Sequence, residues 1–266
     1  MPTVYIQPGS GTGTGTLADP YYYSSQLSSA ETAAGSGGTI LFIDGDYNFS
    51  SNVSFSADGV TYKAVNRLGA KILASTNSHT FTIGSTSITA PTIADGFYVE
   101  NLLLVLSSPA QPATSSQTAK FINSKLTQVQ RHTLVNGISS TAGSFKEVNG
   151  CELNFKPGQS GIRPFANCSG GTMSNCSVYL DFGTSYTVSI RSSAKFDSFT
   201  DCIIASNDGS SFTENYTTNA TNCIFHEMGT TNSSGGTDNI FQDPLYVDPG
   251  SDLRLRPASP AIGAAS

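Results

Sequence analysis

Four stretches in the second half of the chain read EVNGCEL (residues 147–153), TMSNCSV (172–178), SFTDCII (198–204) and NATNCIF (219–225). Two earlier stretches, YVENLLL (98–104) and KFINSKL (120–126), have the same form. Aligned on the residue after the Asn, Asp or Gly, the anchors are Leu102, Ser124, Cys151, Cys176, Cys202 and Cys223, at intervals of 22, 27, 25, 26 and 21 residues. A period in that range marks a solenoid. Three residues before each anchor stand Val99, Phe121, Val148, Met173, Phe199 and Ala220; two after it stand Leu104, Leu126, Leu153, Val178, Ile204 and Phe225. On a strand, the anchor and the residue two later point the same way. The column just before the anchor (Asn101, Asn123, Gly150, Asn175, Asp201, Asn222) holds the residue types that best tolerate a left-handed backbone. Each copy therefore reads as an apolar residue, a sharp bend and a short strand with an apolar inner row. Bends at fixed register make each copy one coil of a parallel β-helix, laid on the coil before it.

The composition agrees. Only 12% of the residues are charged, Trp is absent, and Gly is frequent; coil corners need turn formers and outer faces need small polar residues. A net charge of −6 with 13 basic residues argues against nucleic acid as a partner. No run of apolar residues is long enough to span a membrane. No basic segment followed by an apolar one opens the chain, so the expectation is a protein without a secretory signal. Cys151, Cys176, Cys202 and Cys223 share one column and are expected to pack in the core. Their stacking would also permit a disulfide, while the absence of any CxxC pair argues against zinc.

In chain order, Val4–Ile6 reads as a first strand and is followed by a Gly-Thr loop. Asp19 then reads as a helix N-cap with Pro20 at the first helical position. Leu27, Ala30 and Ala34 have helical spacing, and Gly35 ends the helix. Strands follow around 39–43, 53–55, 60–62, 71–73 and 81–83, with Asp44 to Asp46 as a turn. A second inner column is expected at Ile138, Ile162 and Ile190. The tail from 241 carries Asp-Pro turns and an alternating LRLR strand. The whole reads as a single domain: an N-terminal cap over 1–38, coils over 39–240 and a closing segment over 241–266.

The opening, with its Gly-rich loop, short helix and GTILFIDGDY (38–47), resembles the start of pectate-lyase-like right-handed parallel β-helix proteins. The ending DPLYVDPGSDLRLRPASPAIGAA (243–265) resembles their closing segment, and the N-C-x-apolar coils are similar to their repeats. The resemblance implies an all-β, single-stranded right-handed parallel β-helix with a capping helix and a closing segment. It implies no single activity, because lyases, hydrolases and non-catalytic phage and surface proteins share that fold.

Lyases on this scaffold need a Lys or Arg base and calcium-holding carboxylates; hydrolases need clustered carboxylates. The repeat faces offer no carboxylate pair in one column, so no catalytic residue, metal ligand or cofactor is expected. Arg163 and Arg191 each follow a second-face isoleucine and read as outward on neighbouring coils, suited to a carboxylated or sulfated sugar or an acidic partner surface, or simply solvated. His226 reads as outward beside Ala205 and Tyr179, which makes Tyr179 and His226 further candidates for glycan or partner contact. Leu103, Ile203 and Ile224 make one outward column apolar. Either a subunit contact or a loop such as 228–240 would cover it. The expected function is a non-enzymatic virion or surface structural protein, a phage capsid decoration or fibre-type component, with host-surface glycans as a further ligand class. It carries the expectation of a homo-oligomer, a trimer first, or of docking on other virion proteins, at the virion surface after synthesis in the host cytoplasm. The alternative is a polysaccharide lyase or glycoside hydrolase acting on an acidic glycan along Arg163 and Arg191, and then an extracellular protein.

Overall fold

The computed structural model describes residues 1–74, 79–107, 118–128, 136–140, 146–155, 163–166, 171–180, 196–206, 217–226, 238–249 and 252–262. They form an all-β parallel β-helix with one short helix near the N-terminus. The chain makes two compact units, Met1–Lys125 with Thr141–Glu147, and Leu126–Ser140 with Val148–Ser266.

In the first unit the strands fall into three parallel sheets. The first sheet runs in the order Tyr21–Tyr22, Thr3–Gln7, Thr39–Phe42, Thr61–Ala64, Thr92–Asp95, Ala119–Ile122. The second holds Gly45–Phe49, Ala70–Ala74 and Tyr98–Glu100; the third holds Val53–Phe55, Thr80–Gly84 and Leu103–Ser107. The chain visits the sheets in turn, so one circuit is one coil. Phe42 and Phe55 come from one circuit and Phe97 from a later one, and they meet inside, with ring centroids 5.0 to 5.6 Å apart. Full burial of each ring contributes about 1.5–3 kcal/mol.

The helix, Tyr23–Ala34, packs on the first strands of that sheet and buries Ala30 and Ala34. Gly35 ends it at φ 61°, donating its N–H to Glu31. The start differs from expectation. Tyr22, not Asp19, is the N-cap, and no side chain caps it. Tyr21 and Tyr22 pair with Ile6 and Gln7 as a strand, which moves the helix start past Pro20. The Asp19 carboxylate instead accepts bonds from the Thr14 N–H and hydroxyl. Gly45 and Asp46 likewise open a strand rather than fill a turn.

In the second unit the first sheet contains Thr172–Ser174, Phe196–Thr200 and Thr217–Thr221, and the second contains Glu152–Phe155, Ser177–Leu180, Ile203–Ser206 and Ile224–His226. The third contains Asn136–Ser140 and Arg163–Ala166. A two-stranded antiparallel hairpin, Tyr246–Asp248 with Asp252–Leu255, follows near the C-terminus.

The bend column is left-handed throughout: Asn101, Asn123, Gly150, Asn175, Asp201 and Asn222 have φ of 59, 51, 65, 52, 53 and 53°. All six anchors and all six residues three before them are buried. Five of the six bends, all but Asn101–Leu102, are closed by a γ-atom the sequence reading did not use. The Cys176 thiol donates to the Ser174 carbonyl two residues back (3.1 Å), and Cys151, Cys202 and Cys223 repeat the bond at 3.3 Å. Ser124 does the same with its hydroxyl, 2.7 Å from the Ile122 oxygen. A small residue with a γ donor therefore suits this corner. The four thiols are free and buried. Burial pushes the Cys176 and Cys202 thiols up, and the Cys202 contact together with burial does so for Cys223, so all three are held protonated.

Two register expectations need correction. The stretch 98–104 is not the first copy of the ladder. Its Asn101–Leu102 bend joins the second sheet to the third, whereas the other five join the first to the second. The true counterpart is Gly96–Phe97: Gly96 has φ 81°, Phe97 is fully buried, and the Lys125 N–H donates to the Phe97 carbonyl. Both corners use a left-handed residue followed by a buried apolar one, so the pattern matched at either. In the third sheet Ile138 stands in register with Phe165, and Arg163 with Asn136. The register step is therefore 27 residues, against the 24 of an Ile138-to-Ile162 alignment. Ile162 and Ile190 lie outside the described residues.

The ladder ends on Asn239. Its Oδ1 accepts the Cys223 N–H (2.9 Å) and its Nδ2 donates to the Ala220 carbonyl (2.9 Å). Ile240 then pairs with Ile224 as a single parallel bridge. The side-chain amide stands where a peptide group of a further coil would.

Candidate functional site

The outward face of the second sheet in the second unit is set by alternation along its strands. Asn154, Tyr179, Ala205 and His226 share one column: Tyr179 is in register with Asn154 and Ala205, and Ala205 with His226. The neighbouring column carries Glu152, Ser177, Ile203 and Ile224. The C-terminal hairpin folds over this face. Tyr246 and Leu253 bury themselves against Tyr179 and Ala205, and Ile203 and Leu255 pack at the edge of that cluster. Tyr179 and Tyr246 meet edge to face, with centroids 6.2 Å apart, a geometry that favours the ring quadrupoles.

Beside the cluster a cleft of about 270 Å³ remains open, lined by Tyr179, Ser206 and His226 from the coils and by Asp243, Pro244 and Tyr246 from the chain entering the hairpin. The Asp243 carboxylate is oriented by the Leu245 N–H, 2.8 Å from its Oδ1. Leu245 is itself left-handed, at φ 53°. Pro244 is buried, which fixes the turn between the carboxylate and the tyrosine. Burial pushes the Tyr246 phenol far above its usual range, so it is a neutral hydroxyl at any physiological pH. The cleft thus brings aromatic and proline walls together with a hydroxyl, an imidazole and a carboxylate. Apolar walls with a few placed polar groups are the make-up of a small-ligand or saccharide site.

The sequence candidates fall out as follows. Tyr179 and His226 stand in one column and line the cleft. Arg163 lies on a third-sheet strand, and Arg191 lies outside the described residues. The apolar column is covered from within the chain. Ile224 is only 2% exposed and bridges to Ile240, and Ile203 lies against the hairpin cluster. Leu103 does not belong to that column at all: it is in the third sheet, in register with Thr80. Asp243 and Tyr246 were missed. Their signal was the Asp243-Pro244 turn two residues before a tyrosine, opposite an alternating Leu-Arg-Leu strand.

Carboxylates on the first sheet of the first unit are taken up by lysines. Lys63 Nζ lies 2.9 Å from Asp95, which also accepts from Asn123, and Lys120 Nζ lies 2.6 Å from Glu147. Among the described residues no group of three or more His, Cys, Asp or Glu is placed to hold a metal ion, and no helix is long and apolar enough to cross a membrane.

No protein-family model and no curated protein matches the sequence. Among solved structures, the chain is similar to pectin methylesterase PemA from Erwinia chrysanthemi, with a TM-score of 0.55 at 12% identity, over 89% of this chain and 81% of that one. Two pectin methylesterase structures in complex with hexasaccharides match at TM-scores of 0.37 and 0.33, each at 10% identity over 88% of this chain and 80% of theirs. The likeness to the first supports the fold, a parallel β-helix, independently of the repeat pattern.

Proposed function

We propose that this protein acts on a polysaccharide, seating a saccharide unit in the cleft between the second sheet and the C-terminal hairpin. The observation that carries the reading is the cleft itself: tyrosine and proline walls, with His226 and Asp243 as polar contacts. Sugars bind by stacking their C–H faces on such walls while their hydroxyls meet such groups. A sheet face is long enough to take a chain of sugars, and the fold is one that a pectin methylesterase also uses. His226 is the group best suited to exchange a proton, with Asp243 as the carboxylate on the opposite wall. An oligomeric surface component resting on Ile203 and Ile224 has less support, since the hairpin and Ile240 cover those residues.

The test is retention on a panel of immobilised neutral and acidic polysaccharides, followed by assays of the retained ones for reducing ends, unsaturated products and released methanol. Retention that weakens in His226→Ala and Asp243→Asn, with unchanged thermal midpoints, is the expected result. Product release would make the protein an enzyme; retention without products would make it a recognition module of the kind a surface protein carries. Absence of retention on every polysaccharide refutes the reading.

A further inference from the structure

The Tyr246 side chain is 2% exposed and lines the cleft, and its hydroxyl has no hydrogen-bond partner of good geometry among the described residues. Ser177 stands close enough to lower the phenol's pKa, the effect of a donor toward the phenol oxygen, which leaves the phenol's own O–H unclaimed. A buried hydroxyl without a partner costs about 1–3 kcal/mol, and a phenylalanine would fill the same space against Tyr179 without that cost. The hydroxyl is therefore a donor held in reserve at the edge of a ligand cleft. Two carboxylates lie around it, with the His226 imidazole on the cleft wall and Arg254 of the hairpin acting on Glu152. Asp243 lines the cleft, no Lys or Arg does so among the described residues, and Glu152 lies close enough for its charge to act on the phenol. A carboxylated sugar placed there would meet an uncompensated carboxylate in a partly desolvated site. An uncharged pyranose meets no such penalty, and its hydroxyls or ring oxygen accept from a phenol.

Resting on the polysaccharide reading above, we infer that the sugar unit held in this cleft is uncharged and that the Tyr246 hydroxyl is the specificity-determining donor to one of its oxygens. The inference narrows the ligand class: acidic units, if the polysaccharide has them, lie elsewhere along the chain of sugars.

Tyr246→Phe is the decisive variant, because it removes one oxygen and leaves the ring packing in place. Titrations use neutral hexaoses of glucose, xylose, mannose and galactose, with hexagalacturonate of the same length as the acidic probe, and thermal unfolding is followed in parallel. The expected result is a neutral hexaose bound by the natural protein, weakened about five- to ten-fold in Tyr246→Phe, with hexagalacturonate weaker than the neutral probe and a thermal midpoint equal or higher in the variant. Equal binding by both proteins, or hexagalacturonate binding as tightly as any neutral probe, overturns the inference and leaves the polysaccharide reading standing. A lowered thermal midpoint in Tyr246→Phe also overturns it, by showing that the hydroxyl serves the fold. Failure of the natural protein to bind any of the probes or any immobilised polysaccharide sinks the reading beneath it as well.

Discussion

Replacing Ser124 with alanine tests the corner chemistry that the repeat depends on. Ser124 is fully buried, and its hydroxyl does two jobs: it donates to the Ile122 carbonyl at 2.7 Å and accepts the Phe97 N–H at 3.0 Å. The two losses are unequal. The Ile122 carbonyl keeps the Gly96 N–H, 3.0 Å away, so it stays satisfied. The Phe97 N–H is left in the core with no acceptor, which costs about 1–3 kcal/mol. Little volume is lost, so the cavity contribution is small, and the sum is a destabilisation of about 2 kcal/mol. With a urea dependence of about 2–3 kcal/mol per molar, the unfolding midpoint should fall by about 0.7–1 M. Ser124→Cys is the matched control: the thiol is the residue of the next four anchors and restores the donor, but sulfur accepts weakly, so its cost should be near half. Equilibrium urea unfolding followed by far-ultraviolet circular dichroism reads both. An alanine variant within about 0.5 kcal/mol of the natural protein, or a cysteine variant worse than alanine, would show that the γ-atom bonds do not hold the corners.

Leu68 lies in the corresponding corner of an earlier coil, one residue before the bend column, at φ 64° with its N–H on the Gly96 carbonyl. Leu68→Asn should stabilise by about 0.5–1 kcal/mol, read as a raised thermal midpoint, because asparagine enters the left-handed region at lower cost. Asp58 accepts from the Thr89 and Ala90 N–H groups and the Thr89 hydroxyl. Burial alone would raise its pKa, but the Thr89 hydroxyl and the Ala90 and Thr89 N–H groups outweigh it and hold the carboxyl below its usual range. Its contribution is therefore present above the ordinary aspartate value of about 3.9 and is lost as pH falls through the lower folded value. Melts of Asp58→Asn against the natural protein should differ most near neutrality and converge in acid; a gap that does not change with pH would contradict the assignment. Asn239→Ala should deprive the Cys223 N–H of its acceptor at a cost of about 1–3 kcal/mol, and amide exchange at Cys223 should accelerate selectively.

The coils were legible because each one repeats a backbone conformation that few side chains accept. An Asn, Asp or Gly at a fixed distance from a buried residue is a local signal, written within seven residues. The same locality explains the error at the first copy. Asn101–Leu102 and Gly96–Phe97 satisfy the same rule at two different corners, and only the pairing of Lys125 with Phe97 separates them. The Tyr179–His226 column was readable for a similar reason, since strand alternation carries a side chain to a known face. Asp243 and Tyr246 were not. They reach the cleft through an antiparallel hairpin laid over a parallel sheet, and no period in the sequence links position 246 to position 179.

Asn239 also bears on why the ladder stops where it does. Each coil of a parallel helix is a template whose free edge invites another strand of the same kind, from the same chain or from a neighbouring one. Growth of that sort has no natural length. One carboxamide, shaped like a peptide group, occupies the next site at Cys223 and Ala220. The carboxamide thus fills a backbone position at the edge of the last aligned strand, and Ile240 adds a single parallel bridge beside it, at Ile224.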